Sequence, residues 1–198
     1  MVEKWQRCQL RDLCQSIDYG LTASATDEPA GPKFLRITDI VRGGIDWKEV
    51  PYVAASDADR IKYSLRHGDI VVARTGATTG FSACVLHPPE AVFASYLVRF
   101  AVRPEHDPRY VGYALKSPLW WAYIHGVLGD KSAQPNASAN TLADGWVDVP
   151  PLPEQCAIAE VLGALDDKIE ANRHIEAAAW AVAQAQFDAL TEERCEQV

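Results

Sequence analysis

Two hydrophobic rhythms divide this chain. From Phe34 to Val149 apolar residues come in short runs, rich in β-branched and aromatic members and separated by turn signals. Phe34-Leu35-Arg36-Ile37 leads into Thr38-Asp39-Ile40-Val41, and Gly43-Gly44 then marks a turn. Asp69-Ile70-Val71-Val72-Ala73-Arg74 predicts a strand entered by Gly68. Ser82–Leu86 predicts its partner across the Thr-Gly-Ala-Thr-Thr-Gly connection. Ala91 to Val102 alternates and predicts another strand. Pro108 to Gly126 reads as helical with a break at Ser117-Pro118, and Trp146–Val149 reads as a last short strand.

Beyond Pro150 the rhythm changes. Pro150-Pro151-Leu152-Pro153 ends the preceding strand, and Pro153 suits the first turn of a helix. From there the chain is rich in Ala, Glu, Gln and Leu, with Gly163 as its one glycine and no further proline. Ile158, Leu162, Leu165, Ile169, Ile175 and Val182 recur at helical spacing. One helix over about 153–191 would span about 57 Å. That is too long for one small domain to cover, so its apolar stripe predicts contact with another long helix. A helix folded back on its own domain is the alternative. The expected fold is α+β: a globular domain at 1–150 with a mainly antiparallel or mixed sheet and short helices, then a long C-terminal helix at 151–198.

Composition adds limits. The chain has 198 residues, 48% apolar and 23% charged, an ordinary globular balance. No apolar stretch approaches the roughly 20 residues of a membrane span. The charged N-terminus does not read as a secretory signal. Five cysteines without CxxC spacing fit a reducing cytoplasm better than a disulfide or zinc framework. The net charge of −8 argues against nucleic acid until its distribution is examined. Residues 1–150 hold 16 Lys+Arg against 17 Asp+Glu, a net of −1. Residues 151–198 hold 3 against 10, a net of −7. The acid sits on the helix, and a local basic face remains open on the first part. A nearly neutral domain gains little from counterion release, so DNA binding would call for a second copy or a partner.

Candidate chemistry is concentrated in two segments. Arg74-Thr75-Gly76-Ala77-Thr78-Thr79-Gly80 frames small hydroxyl residues between glycines at a strand end. Its amides and hydroxyls suit phosphate oxygens, and Arg74 suits a phosphate or a guanine edge. It is neither a Walker A loop nor a dinucleotide fingerprint. An ordinary Gly-rich hairpin is the alternative. The polar segment 129–138 carries Lys131 and Ser132, which suit phosphate, and Gln134 and Asn136, whose amides suit adenine edges. A solvated loop is the alternative there. The histidines (His67, His87, His106, His125, His174) show no metal-ligand spacing, and no nucleophile elbow is present.

The order of these features resembles one half of the specificity subunit of type I restriction-modification enzymes. Four stretches carry the resemblance: Ile17-Asp18-Tyr19-Gly20-Leu21-Thr22; Leu35–Ile40 with Gly44-Ile45-Asp46; Gly68–Gly80; and Gln134–Ser138 followed by Val149-Pro150-Pro151-Leu152-Pro153-Glu154-Gln155, running on through Ile158-Ala159 and Leu165–Ile169. The resemblance implies a target recognition domain at 1–150 that reads one half of a bipartite site in double-stranded DNA. It implies a spacer helix that packs antiparallel against a second one. It implies docking by methylation subunits, which would carry S-adenosylmethionine and the adenine-N6 chemistry, and by a restriction subunit where one is present. The chain itself would be non-catalytic and cofactor-free, with no membrane partner.

This chain carries one recognition domain and one spacer helix, where the family pattern has two of each; a natural half-subunit, a truncated product and an excised fragment all fit that difference. A lone half with an apolar helix is expected to pair with itself, and an isologous pair would read an interrupted palindrome. The expected DNA-binding residues are Arg74, Thr75, Gly76, Thr78, Thr79, Lys131, Ser132, Gln134 and Asn136, with Arg36 and Thr38 as secondary candidates. Two other classes stay open: a protein-interaction module with a helical dimerisation arm, and an enzyme built from scattered polar residues.

Overall fold

The computed structural model describes residues 4–40, 44–129 and 135–195, with side chains to 188. Its order is β1 (Gln6–Gln9), β2 (Cys14–Tyr19), β3 (Lys33–Leu35), α1 (Ile37–Ile40), α2 (Asp57–Lys62), β4 (Asp69–Ala73), β5 (Ser82–Cys84), β6 (Ala91–Phe93), β7 (Leu97–Val102), α3 (Pro108–Ala114), α4 (Pro118–Leu128), α5 (Ala139–Ala143), β8 (Trp146–Val149) and α6 (Leu152–Cys195). The fold is α+β. The central sheet is antiparallel, in the order β2-β7-β4-β5. The pair β3-β6 is parallel and the pair β1-β8 antiparallel.

Strand β4 explains its own apolar run. Every residue of Asp69–Ala73 is buried, because both faces are covered. Val71 and Ala73 join Leu35, Phe93 and Leu97 in one core cluster. On the other face α3 comes so close that a Cβ on Gly112 would lie 3.4 Å from Ile70 Cδ1 and 3.1 Å from Cys84 Cβ. The helices start where the local chemistry directs. Asp107, Ser117 and Ser138 each accept a hydrogen bond from a first-turn amide of α3, α4 and α5. Pro108 and Pro118 occupy first-turn positions that need no N–H.

Several elements depart from the sequence expectation. The run Thr38–Ile40 is a helical turn, not a strand. Asp39 accepts the Arg36 amide at 2.8 Å and the Arg36 guanidinium at 2.9 and 3.1 Å, which bends the chain locally. The stretch 91–102 is two strands, β6 and β7, separated by a turn that Leu97 N closes onto Ala94 O at 2.9 Å. Strands β1 and β2 and helices α2 and α5 carry too little periodicity to be seen in isolation.

The chain separates into two compact units, 1–157 and 158–198. The first unit extends past Pro150 because Gln155, at the start of α6, is buried with 1% exposure. Its Nε2 donates to Pro150 O at 2.8 Å, and its Oε1 accepts from Asp107 N at 3.0 Å. The described residues of the second unit are helix. Over its 44 residues α6 measures about 66 Å. Leu165, Ile169, Ile175 and Val182 are exposed on it, as are Trp180 and Phe187, while Ile158 and Leu162 are half-buried. Among the described residues no helix is long and apolar enough to cross a membrane.

Candidate nucleic-acid interface

The sheet register brings the chemistry to one end. The C-terminal ends of β2 and β4 lie beside the N-terminal ends of β7 and β5, through the pairs Tyr19↔Val98, Ala73↔Leu97 and Val72↔Ser82. The loop 74–80, the turn 94–96 and the residue Tyr19 therefore share that end.

The segment 135–138 joins them by strand-like pairing. Gly76 N donates to Pro135 O at 2.9 Å, and Ala137 N donates to Arg74 O at 2.8 Å. Thr75 and Asn136 form an antiparallel bridge. The two segments that sequence reasoning picked separately are one surface. Arg74 is its clamp: Nη2 donates to Asn136 Oδ1 at 3.0 Å, and Nε donates to Ala137 O at 3.3 Å. The guanidinium lies 5.0 Å from the centre of the Tyr19 ring, a cation–π arrangement. The Tyr19 hydroxyl accepts from Ala139 N at 2.8 Å and so ties the start of α5 to the same cluster.

Two glycines make the convergence sterically feasible. A Cβ on Gly20 would sit 2.3 Å from Ala94 O, so the chain after Tyr19 can pass the 93–94 carbonyls only without a side chain. Gly80 has φ +94°, and a Cβ there would lie 2.9 Å from Ile124 Cγ2. Its carbonyl accepts from Trp120 Nε1 at 2.9 Å, which roots the loop on the fully buried Trp120 of α4.

The remaining candidates take distinct places. Thr79 is buried, and its hydroxyl donates to Gly76 O at 2.7 Å, so it shapes the loop from inside. Thr78 donates to Thr75 O at 3.5 Å and is half-buried, like Thr75 and Gly76. Asn136 is exposed. Arg36 and Thr38 both bond Asp39, and the structure does not bring them into the hydrogen-bonded cluster. Lys131, Ser132 and Gln134 lie outside the described residues.

Charge is distributed unevenly over the arginines. Arg7, Arg11, Arg36, Arg60 and Arg99 are paired with Asp148, Asp144, Asp39, Glu90 and Asp18. The partners of Arg74 carry no formal charge, so no carboxylate offsets its positive charge, and the residue is half-buried. Deeper in the sheet, burial pushes the Asp18 carboxyl up, but hydrogen bonds from Arg99 and Ser16 and the charges of Arg99 and Lys62 outweigh it and hold it below the usual carboxylate range. Burial pushes the Cys14 and Cys84 thiols up to about 12, which makes them poor nucleophiles. Among the described residues no group of three or more His, Cys, Asp and Glu is gathered for a metal.

This loop surface and much of the long helix fall within a single family match. The model of the type I restriction modification DNA specificity domain matches residues 2–179. The chain belongs to that family. Among curated relatives, the type I restriction enzyme EcoKI specificity subunit of Escherichia coli K12 is 21% identical over 188 residues, covering 86% of this chain and 40% of the relative. The HsdS subunit of Thermoanaerobacter tengcongensis has a TM-score of 0.60 at 18% identity, covering 88% of this chain and 45% of that one. The type I S subunit of M. genitalium also gives 0.60 at 18% identity, over 84% and 40%. At that identity the solved structures establish the shared fold. The chain spans about 40% of the length of the curated relatives it matches, as one recognition half of this family would.

Sequence reasoning missed two members of the cluster, Tyr19 and Tyr96, whose carbonyl accepts the Arg74 amide at 3.0 Å. Tyr19 sits inside a stretch quoted for the family resemblance, yet nothing in its spacing announces that it pairs with position 74. Tyr96 was absorbed into an expected continuous strand.

Proposed function

We propose that this chain is one recognition half of a type I specificity subunit, non-catalytic, reading one half of a bipartite site in double-stranded DNA. Methylation subunits dock on it and supply S-adenosylmethionine and the adenine-N6 chemistry. The helix α6 pairs antiparallel with a second spacer helix. A second copy of this chain supplies that second helix, and the two-fold pair reads an interrupted palindrome.

The observation that carries this reading is the fused loop surface. Two polar segments far apart in sequence are locked into one rigid, Arg-centred edge that projects from the end of a sheet. Rigid presentation of donors and one positive charge that no carboxylate offsets suits a groove edge, where base readout depends on fixed geometry. The exposed apolar stripe of α6 supports the pairing, since a helix of that length with Leu165, Ile169, Ile175 and Val182 exposed leaves apolar area in water.

Selection of duplexes from a random pool by the chain bound to a methylation subunit tests the reading. Enrichment of an interrupted motif is expected. A pool that stays random while the protein complex is intact would contradict it and favour a protein-interaction module.

A further inference from the structure

Four aromatic residues of the first unit are prominently exposed: Trp5, Tyr19, Tyr96 and Trp146. Two of them flank Arg74. Tyr19 lies under its guanidinium, and its hydroxyl is occupied by the Ala139 amide. Tyr96 is held differently. Its carbonyl accepts the Arg74 amide at 3.0 Å, which fixes its backbone to the recognition loop. The turn that carries it is closed by Leu97 N to Ala94 O at 2.9 Å and tied to the end of β2 by Ser95 N to Leu21 O at 2.9 Å. Its side chain is another matter. Among the described residues it makes no hydrogen bond and no ring contact, and the residue is 59% exposed. A large aromatic on a rigid turn, with a free hydroxyl, beside the loop's unneutralised arginine, has no task in the fold.

We infer that Tyr96 is a DNA-contacting residue of this interface, its hydroxyl donating to a backbone phosphate next to the site that the 74–80 loop engages. The inference rests on the DNA-reading function proposed above and adds a residue to it. Its physical ground is the position of Tyr96 beside Arg74 on a unit with little net charge. Five arginines of the first unit are tied to carboxylates, and its formal charge is close to zero. Phosphate contacts come from neutral donors as well as from cations, and tyrosine hydroxyls, threonine hydroxyls and backbone amides are such donors. A tyrosine also orders at low entropic cost, and its ring can cover sugar while the hydroxyl reaches an oxygen.

The test uses the full chain in complex with a methylation subunit and a duplex carrying the motif recovered by selection, with a scrambled duplex as control. Tyr96→Phe and Tyr96→Ala are compared with wild type across a salt series. Among the described residues the hydroxyl has no partner, so Tyr96→Phe should unfold at the wild-type temperature. It should bind the motif more weakly by roughly tenfold or more, the worth of one hydrogen bond to a charged acceptor. The salt slope should stay unchanged, because a neutral donor releases no counterion of its own. Wild-type affinity in both variants overturns the inference. So does weak binding by Tyr96→Ala with full binding by Tyr96→Phe, since that assigns the effect to the ring alone. Equal binding of motif and scrambled duplex by the wild-type complex overturns the DNA-reading function itself, a failure distinct from that of Tyr96.

Discussion

Arg74 donates to Asn136 across 3.0 Å, and this bond makes one surface of two loops 62 residues apart in sequence. A guanidinium held by an amide and laid on Tyr19 is pre-oriented before any ligand arrives. The two side chains should therefore be energetically coupled in DNA binding. Arg74→Ala should weaken binding of the motif roughly tenfold or more. Asn136→Ala should weaken it less. In the double variant the losses should fall short of their sum by about 1 kcal/mol. Strict additivity in anisotropy titrations would mean that the clamp plays no part in recognition.

Gly20, in close contact, and Gly76, in open space, should separate steric from conformational cost. Gly20→Ala places a Cβ 2.3 Å from a backbone oxygen, where neither side can yield cheaply. It should cost more than about 2 kcal/mol in urea unfolding. Gly76 has φ +73° but faces open space, so Gly76→Ala should cost only about 1 kcal/mol. Equal losses would show that the chain after Tyr19 does not run against the 93–94 carbonyls.

Much of this arrangement was legible in the residues alone. The strand at 69–73, the break at Ser117-Pro118 and the long helix each carry a local signal of period, cap or breaker. The candidate loop at 74–80 was visible for the same reason, as small residues at a strand end. The pairing of that loop with 135–138 was not visible, because it depends on sheet register and on two glycines whose reason is a neighbouring carbonyl or helix. Tyr96 was hidden by its neighbours: β-branched and aromatic residues on both sides read as one strand, and the turn at 94–96 contains neither Gly nor Pro. Thr38–Ile40 misled in the opposite way. Its β-type residues are overridden by the Asp39 side chain bonding the Arg36 amide.

The start of α6 should respond to mild acid. Burial holds the His106 imidazole below its ordinary value of 6.5, with Glu105 opposing that shift and Arg103 adding to it. Its Nδ1 lies 3.3 Å from Gln155 Nε2, so the neutral ring accepts there. Below about pH 6.5 the unfolded chain takes up this proton while the folded chain resists it. The unfolded state then binds more protons, and stability falls as pH falls. Between about pH 7.5 and 5.5 the unfolding temperature of wild type should drop further than that of His106→Gln. Parallel curves would remove His106 from the account.

The exposed stripe of α6 should govern association without governing the first unit. Leu165→Glu with Ile169→Glu replaces two exposed apolar side chains. Unfolding of the first unit should be unchanged, while light scattering at micromolar concentration should pass from dimer to monomer. A wild-type chain that is already monomeric would contradict pairing through this helix.

On the proposed function, this chain gives a methylation complex its DNA sequence. Modified-base sequencing of host DNA, with the chain expressed beside a methylation subunit of its own system, tests it most directly. The expected result is a new N6-methyladenine motif, interrupted and palindromic, that disappears when the chain is omitted and shifts or fades with Arg74→Ala. A soluble complex that leaves the genome without any new motif would contradict the claim.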